Sequence, residues 1–207
     1  MSAGESFELK RVCAFCGSHD GADLAFRAAA IEFGKQLAER GLGLVYGGGR
    51  VGLMGALADA VLAENGEVIG VIPRALRDRE VAHLGLSDLQ VVDSMHERKR
   101  LMYGQAEAVV ALPGGIGTLD ELFEAMTWNQ LDIHAKPAGL LNVEGYFDPL
   151  IAMLERAVKQ GFVGSSYREF LLVTETVPEL LTALERYQPP ADKLWVRRSD
   201  VPTDAFE

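Results

Sequence analysis

The sequence predicts a doubly wound, Rossmann-like α/β fold: a single domain, a parallel sheet and helices on both faces. Three observations carry that expectation. Short apolar runs alternate along the chain with longer amphipathic segments, as strands alternate with crossover helices. Glycine-rich stretches fall where strands should pass into helices. The 207 residues suffice for one sizeable core, and neither a repeat nor a composition break marks a second domain.

The elements follow in order. A strand over Val12–Gly17 precedes a helix over Asp23–Arg40, whose Leu24, Ala28, Ile31 and Leu37 recur at helical spacing, with Gly41 placed to close it. A strand at Gly43–Tyr46 leads to a helix at Leu53–Glu64. Strands at Glu67–Ile72 and Leu89–Asp93 follow, then a helix at Met95–Gln105. The run Ala108–Leu112 reads as a strand. The helix after it, Thr118–Gln130, is expected to carry Asp120 and Glu121 in its first turn, where acids suit the helix dipole. Strands at Ala138–Asn142 and Phe170–Thr174 alternate with helices at Phe147–Lys159 and Val177–Arg186. The domain is expected over 1–187, with an irregular, proline-containing tail over 188–207.

Composition excludes several classes. Net charge is −10, which argues against nonspecific affinity for nucleic acid or an anionic membrane. No apolar run approaches the ~20 residues that span a bilayer, and no secretory leader stands at the N-terminus, so a cytoplasmic home is expected. The two cysteines form Cys13-x-x-Cys16, but they sit on a strand. Positions three apart there face opposite ways, with Cα atoms ~10 Å apart. A disulfide needs ~7 Å or less. No second cysteine pair or histidine cluster completes a zinc site, so neither metal nor cofactor is expected.

Ligands of such sheets sit beyond the carboxyl ends of the strands, so the loops there are the places to look. "YGGGRVGLMG" contains Gly47, Gly49 and Gly52 in a G-x-G-x-x-G spacing. A dinucleotide reading needs an acid at the end of the next strand, and Glu67 lies at its start instead. What remains is close backbone approach to a ligand, or tight turns that serve packing alone. "LPGGIGTLDEL" is the stronger stretch. Pro113 stops the strand; Gly114, Gly115 and Gly117 bare the backbone amides, and Thr118 adds a hydroxyl at a helix start, which together suit a phosphate. Asp120 and Glu121 point ~100° apart on that helix, so one can serve the first turn while the other enters the cleft. "DSMHERKRLMYG" holds the densest basic cluster, Arg98, Lys99 and Arg100, with Met95, Arg98 and Met102 along one face. At least one of these cations should reach the cleft; a solvated basic face is the plain alternative. His96 is a base candidate against the commoner reading of a surface or capping histidine.

Taken together, "PGGIGTLDE" and "SMHERKR" resemble the Lonely Guy family of cytokinin riboside 5′-monophosphate phosphoribohydrolases, and "YGGGRVGLMG", "VIGVIPRAL" and "TWNQLDIHAKPAGLLNVEGYFDPL" fall in the expected order. The resemblance implies hydrolysis of the N-glycosidic bond of AMP, or of its N6-prenylated form, to free base and ribose 5-phosphate. It implies a homodimer, which apolar positions on the Met95–Met102 and Leu119–Trp128 helices would suit. It implies Arg98 and Glu121 as the catalytic pair. Substrate contacts are expected at Glu80, Lys99, Gly114, Gly115, Ile116, Gly117, Thr118 and Thr127, and on neighbouring loops at Ser18, Gly48, Gly49 and Met95. Ile116 stands where the family commonly has an aromatic, Asp120 where it has Glu and His19 where it has a second Ser.

Two other readings compete. Relatives have been labelled lysine decarboxylases, whose chemistry needs pyridoxal phosphate on a Schiff-base lysine, and only Lys99 lies near the expected cleft. A non-catalytic nucleotide carrier or sensor would also use a glycine loop, but it has no need of an Arg98–Glu121 pair.

Overall fold

A computed structural model describes residues 7–77 and 82–189. Seven strands form one sheet: β1 (Arg11–Phe15), β2 (Gly43–Tyr46), β3 (Val68–Pro73), β4 (Asp88–Val92), β5 (Ala108–Ala111), β6 (Ala138–Leu141) and β7 (Leu171–Thr174). Their order is β4-β3-β2-β1-β5-β6-β7 and every pairing is parallel. The helices are α1 (Leu24–Glu39), α2 (Gly52–Ala63), α3 (Arg74–Arg77), α4 (Met95–Gly104), α5 (Ile116–Gln130), α6 (Asp148–Lys159), α7 (Tyr167–Phe170) and α8 (Val177–Glu185). A 3₁₀ turn, Val143–Gly145, follows β6.

Alternation along the strands explains the two-sided core. Val12, Ala14 and Cys16 face a cluster with Phe33 and Leu37 of α1, Leu57 and Val61 of α2, and Leu180 and Leu184 of α8. Cys13 and Phe15 face the opposite cluster with Met102 and Tyr103 of α4 and Ala125 of α5, and a third cluster gathers α5, α6 and α7 over β6. Because both faces are covered, the inner strands β2, β3, β5 and β6 read as unbroken apolar runs. The same alternation separates the cysteines: both are buried and free, one on each side of the sheet.

Each expected strand forms, as do all six expected helices, with shifted ends. Residues 16 and 17 leave the sheet, and the Gly17 N–H donates to the Pro113 carbonyl at 3.0 Å instead. Gly41 closes α1 as expected: its φ is +69°, and the N–H of Leu42 reaches back to the Leu37 carbonyl at 2.9 Å. One expectation is corrected. Helix α5 starts at Ile116 rather than Thr118, so Asp120 and Glu121 fall in its second turn, and no acid occupies the first. The expected tail lies outside the described residues from 190 on.

The sheet order places the topological switch at β1 and β5. From β1 the chain winds outward through β2, β3 and β4; from β5 it winds the other way through β6 and β7. Loops leaving β1 and β5 diverge there and open a crevice at the carboxyl ends of the strands. A cleft of about 250 Å³ lies at that point, lined among others by Ser18, His19, Phe26, Gly114, Gly115 and Tyr146.

Candidate active site

The junction of β5 and α5 has bare amides. Gly115 is the N-cap, in extended conformation, and no side chain accepts from the first turn. Side-chain caps close only α1 and α4 among the longer helices: Asp23 accepts from the Ala25 N–H at 2.8 Å and Ser94 from the Glu97 N–H at 3.1 Å, whereas α2, α6 and α8 share the uncapped start of α5, without its glycines on both sides of the first helical residue. The opening amides of α5 are therefore left for an external acceptor, and the helix dipole favours an anion. The glycines divide by role. A Cβ at Gly114 would stand 2.2 Å from Thr118 Oγ1 and 2.9 Å from the Gly17 nitrogen, so packing forbids one. A Cβ at Gly115 or Gly117 would meet nothing within 4 Å. Those two glycines leave the seat open rather than serve the fold. Ile116 between them is exposed, whereas Thr118 is buried and its hydroxyl lies beneath Gly114 instead of facing outward.

Beside this seat, α4 and α5 bring together an arginine and a glutamate. Arg98 Nη1 donates to Glu121 Oε1 at 3.2 Å, and Arg98 Nε donates to the Val71 carbonyl of β3 at 3.1 Å. Both side chains are about a tenth exposed. Gly47, at the end of β2, makes room for the arginine: a Cβ there would lie 2.1 Å from Arg98 Nη2. This glycine of the G-x-G-x-x-G stretch thus accommodates a side chain. Gly52, at φ +58°, admits the Ser18 carbonyl carbon to 2.3 Å of where its Cβ would be, so it serves close packing of α2 on the β1 loop. Glu67 lies far from any ribose position, paired with Arg11 at 2.7 Å at the other end of the sheet.

Burial and charge pull Glu121 in opposite directions. Burial disfavours its ionised form and dominates; Arg98 and Lys99 oppose it, and the carboxyl is raised to about 7. Pairing with Arg98 therefore does not hold it fully ionised at neutral pH. Lys99 approaches Asp120 at 2.7 Å and Glu124 at 3.3 Å, which flank Glu121 on α5. Burial alone lowers the Lys99 pKa, but the two carboxylates hold it above its ordinary value.

The other expected residues distribute as follows. Ser18 lines the cleft with Gly114 and Gly115. Gly48 and Gly49 are buried; the Gly48 carbonyl accepts from the His83 N–H at 3.0 Å, and Gly49 bridges to Ala82. Met95 is half exposed at the start of α4, with His96 exposed beside it and ungrouped with Glu121. Thr127 is exposed on α5, and its hydroxyl donates to the Phe123 carbonyl at 2.7 Å, so within one chain it does not join the Arg98–Glu121 pair. Glu80 lies outside the described residues. Sequence reasoning singled out Gly47 without its arginine, and missed the Val71 carbonyl and Tyr103, whose hydroxyl donates to the Glu121 carbonyl.

Fold and site together define a Rossmann-like α/β enzyme with an uncapped, glycine-rich helix start beside a buried arginine–glutamate pair. The family model described as "Possible lysine decarboxylase" matches residues 54–184. A probable cytokinin riboside 5′-monophosphate phosphoribohydrolase of Oryza sativa subsp. japonica, LOGL5, is 49% identical over 88% of this chain and 74% of its own. Cytokinin riboside 5′-monophosphate phosphoribohydrolase LOG2 of Arabidopsis thaliana is 44% identical over 96% of this chain and 93% of its own. The chain belongs to this Lonely Guy family of phosphoribohydrolases. Among solved structures, the molybdenum cofactor carrier protein of Chlamydomonas reinhardtii superposes with a TM-score of 0.66 at 19% identity, covering 87% of this chain and 98% of that one, a likeness of fold.

The decarboxylase label does not fit Lys99, the lysine beside the Arg98–Glu121 pair. A Schiff-base lysine needs a lowered pKa and a free amine. Lys99 has the reverse, an amine held between two carboxylates.

Proposed function

We propose that this chain hydrolyses the N-glycosidic bond of AMP or N6-prenylated AMP, releasing the free base and ribose 5-phosphate. The observation that carries the reading is the buried Arg98–Glu121 pair, whose glutamate lies five residues along α5 from its bare start. The names of the curated relatives, which act on riboside 5′-monophosphates, support it.

In this reading the amides of Gly115, Ile116, Gly117 and Thr118 hold the 5′-phosphate, and that remote binding energy aligns the ribose. Cleavage passes through an oxocarbenium-like sugar. The Glu121 carboxylate stabilises the positive charge and takes a proton from the attacking water, a task suited by a pKa near the working pH. Arg98 fixes Glu121 and presents its remaining donors to phosphate or ribose. Lys99 reaches the same region while neutralising Asp120 and Glu124. A homodimer is part of the proposal. Met95, Ile116 and Phe123 leave apolar surface on the α4–α5 side, and Thr127 stands exposed there, placed to meet a partner's ligand.

Turnover of AMP, N6-prenylated AMP, GMP and CMP side by side, with free base and ribose 5-phosphate measured, tests the reading. Adenine-type base should appear with the first two. Tight nucleotide binding with no base released would make the protein a carrier or sensor instead.

A further inference from the structure

We infer that Tyr146 is a positioning residue whose hydroxyl locks the Gly114–Gly115 peptide so that the Gly115 amide faces the phosphate; this deepens the phosphoribohydrolase reading and rests on it. The Tyr146 hydroxyl donates to the Gly114 carbonyl. A trans peptide points its carbonyl and the next N–H in opposite directions. Fixing the Gly114 oxygen on Tyr146 therefore fixes the Gly115 N–H on the other side, away from the tyrosine. That amide is the first of the uncapped set at the start of α5.

A peptide between two glycines needs such a restraint. Neither neighbour has a Cβ to bar the flipped orientation. A flip would remove a donor from the anion seat and put a carbonyl dipole in its place. The tyrosine is itself held firmly. Its ring meets Phe26 edge-on at 5.5 Å and Phe147 at 5.0 Å. Its segment turns tightly, with Glu144 at φ 50° and Gly145 at φ 67°. The buried Asn142 staples that turn, accepting from the Phe147 N–H at 2.7 Å and donating to Asp148 Oδ1 at 2.8 Å. The ring also lines the cleft beside Gly114 and Gly115.

Tyr146→Phe tests the inference, since it keeps the ring and its edge contacts and removes one hydrogen bond. KM for AMP and the inhibition constant of ribose 5-phosphate should both rise about tenfold, the worth of one such bond, with kcat changed little. Slow cleavage of adenosine, which has no phosphate to seat, should not change. With ¹⁵N-glycine labelling, ribose 5-phosphate should shift the Gly115 amide in the wild type and much less in the variant. An unaltered inhibition constant, or an equal loss on adenosine, would overturn the role given to Tyr146 while leaving the activity in place. If the wild type itself releases no base from AMP, the underlying reading fails instead.

Discussion

Arg98 Nη1 lies 3.2 Å from Glu121 Oε1, and each side chain keeps only about a tenth of its surface in water. Arg98 is held to the sheet by the Val71 carbonyl, and Glu121 belongs to the helix whose uncapped start is proposed to seat the phosphate. The pair thus ties the two helices of one face to the carboxyl end of β3. Removing Arg98 leaves the ionised Glu121 buried without its counter-charge, which costs about 3–5 kcal/mol. Arg98→Ala should lower the unfolding free energy by that order in denaturant titrations at pH 8, and abolish base release from AMP. The loss should shrink at pH 5.5, where Glu121 takes up a proton and no lone charge remains.

Glu121 itself links stability to pH with a defined sign. Burial raises its folded-state value to about 7, above the ordinary 4.5. Between those values the folded protein keeps a proton that the unfolded chain releases. The group's contribution is therefore fully present below about 4.5 and is lost as pH rises through about 7. Each pKa unit is worth about 1.4 kcal/mol. Glu121→Gln should raise Tm at pH 8 relative to wild type and leave it unchanged near pH 4. The same variant should slow AMP cleavage by about 10²–10⁴ and bind ribose 5-phosphate with nearly unchanged affinity. Wild-type kcat/KM should climb with pH through about 7, as the carboxylate form of the free enzyme appears. A flat profile from pH 6 to 8 would take Glu121 out of the chemistry.

Lys99 sets where that limb falls. Its amine stands between Asp120 and Glu124, the two carboxylates that raise Glu121 further. Lys99→Met exposes Glu121 to both. The acid limb of kcat/KM should move to higher pH, with activity recovering at about pH 9. A loss that is the same at every pH would assign Lys99 to substrate contact alone.

The inner strands were legible because a doubly wound sheet buries both their faces, so β2, β3, β5 and β6 are unbroken apolar runs, and their alternation with amphipathic stretches gave the order; the edge strand β4, Asp88–Val92, is half exposed and carries Asp88 and Gln90. The start of α5 was misplaced by two residues because an exposed isoleucine between two glycines has no helical periodicity to show. The single-turn helices Arg74–Arg77 and Tyr167–Phe170 are too short to repeat an apolar face. At the site, the glycine loop and the basic cluster announced themselves by composition. Which groups meet did not. Arg98 and Glu121 are 23 positions apart and Tyr146 and Gly114 are 32 apart, and only the folded sheet brings them together. Glu121's raised pKa was equally hidden, because the sequence shows the arginine but not the depth of burial that outweighs it.

Gly47 is a control on the arginine that leaves every charge in place. A methyl there would stand 2.1 Å from Arg98 Nη2 and 3.3 Å from Cζ, so the guanidinium must move off its position above β2. Gly47→Ala keeps the ion-pair partners but breaks their alignment, and a misplacement of about 1 Å at a reacting pair can cost about 10²-fold in rate. Base release should fall by that order, and the unfolding free energy by about 1–3 kcal/mol for overpacking. Gly117→Ala provides the contrast. Its Cβ meets nothing within 4 Å, and alanine is the better helix former by about 1 kcal/mol. That variant should gain stability in thermal melts and yet bind ribose 5-phosphate more weakly, because the methyl covers the amides of the seat. If Gly47→Ala leaves kcat intact, the arginine tolerates displacement and its placement is not what the reaction requires. If Gly117→Ala leaves phosphate affinity intact, the ligand does not sit over the first turn of α5.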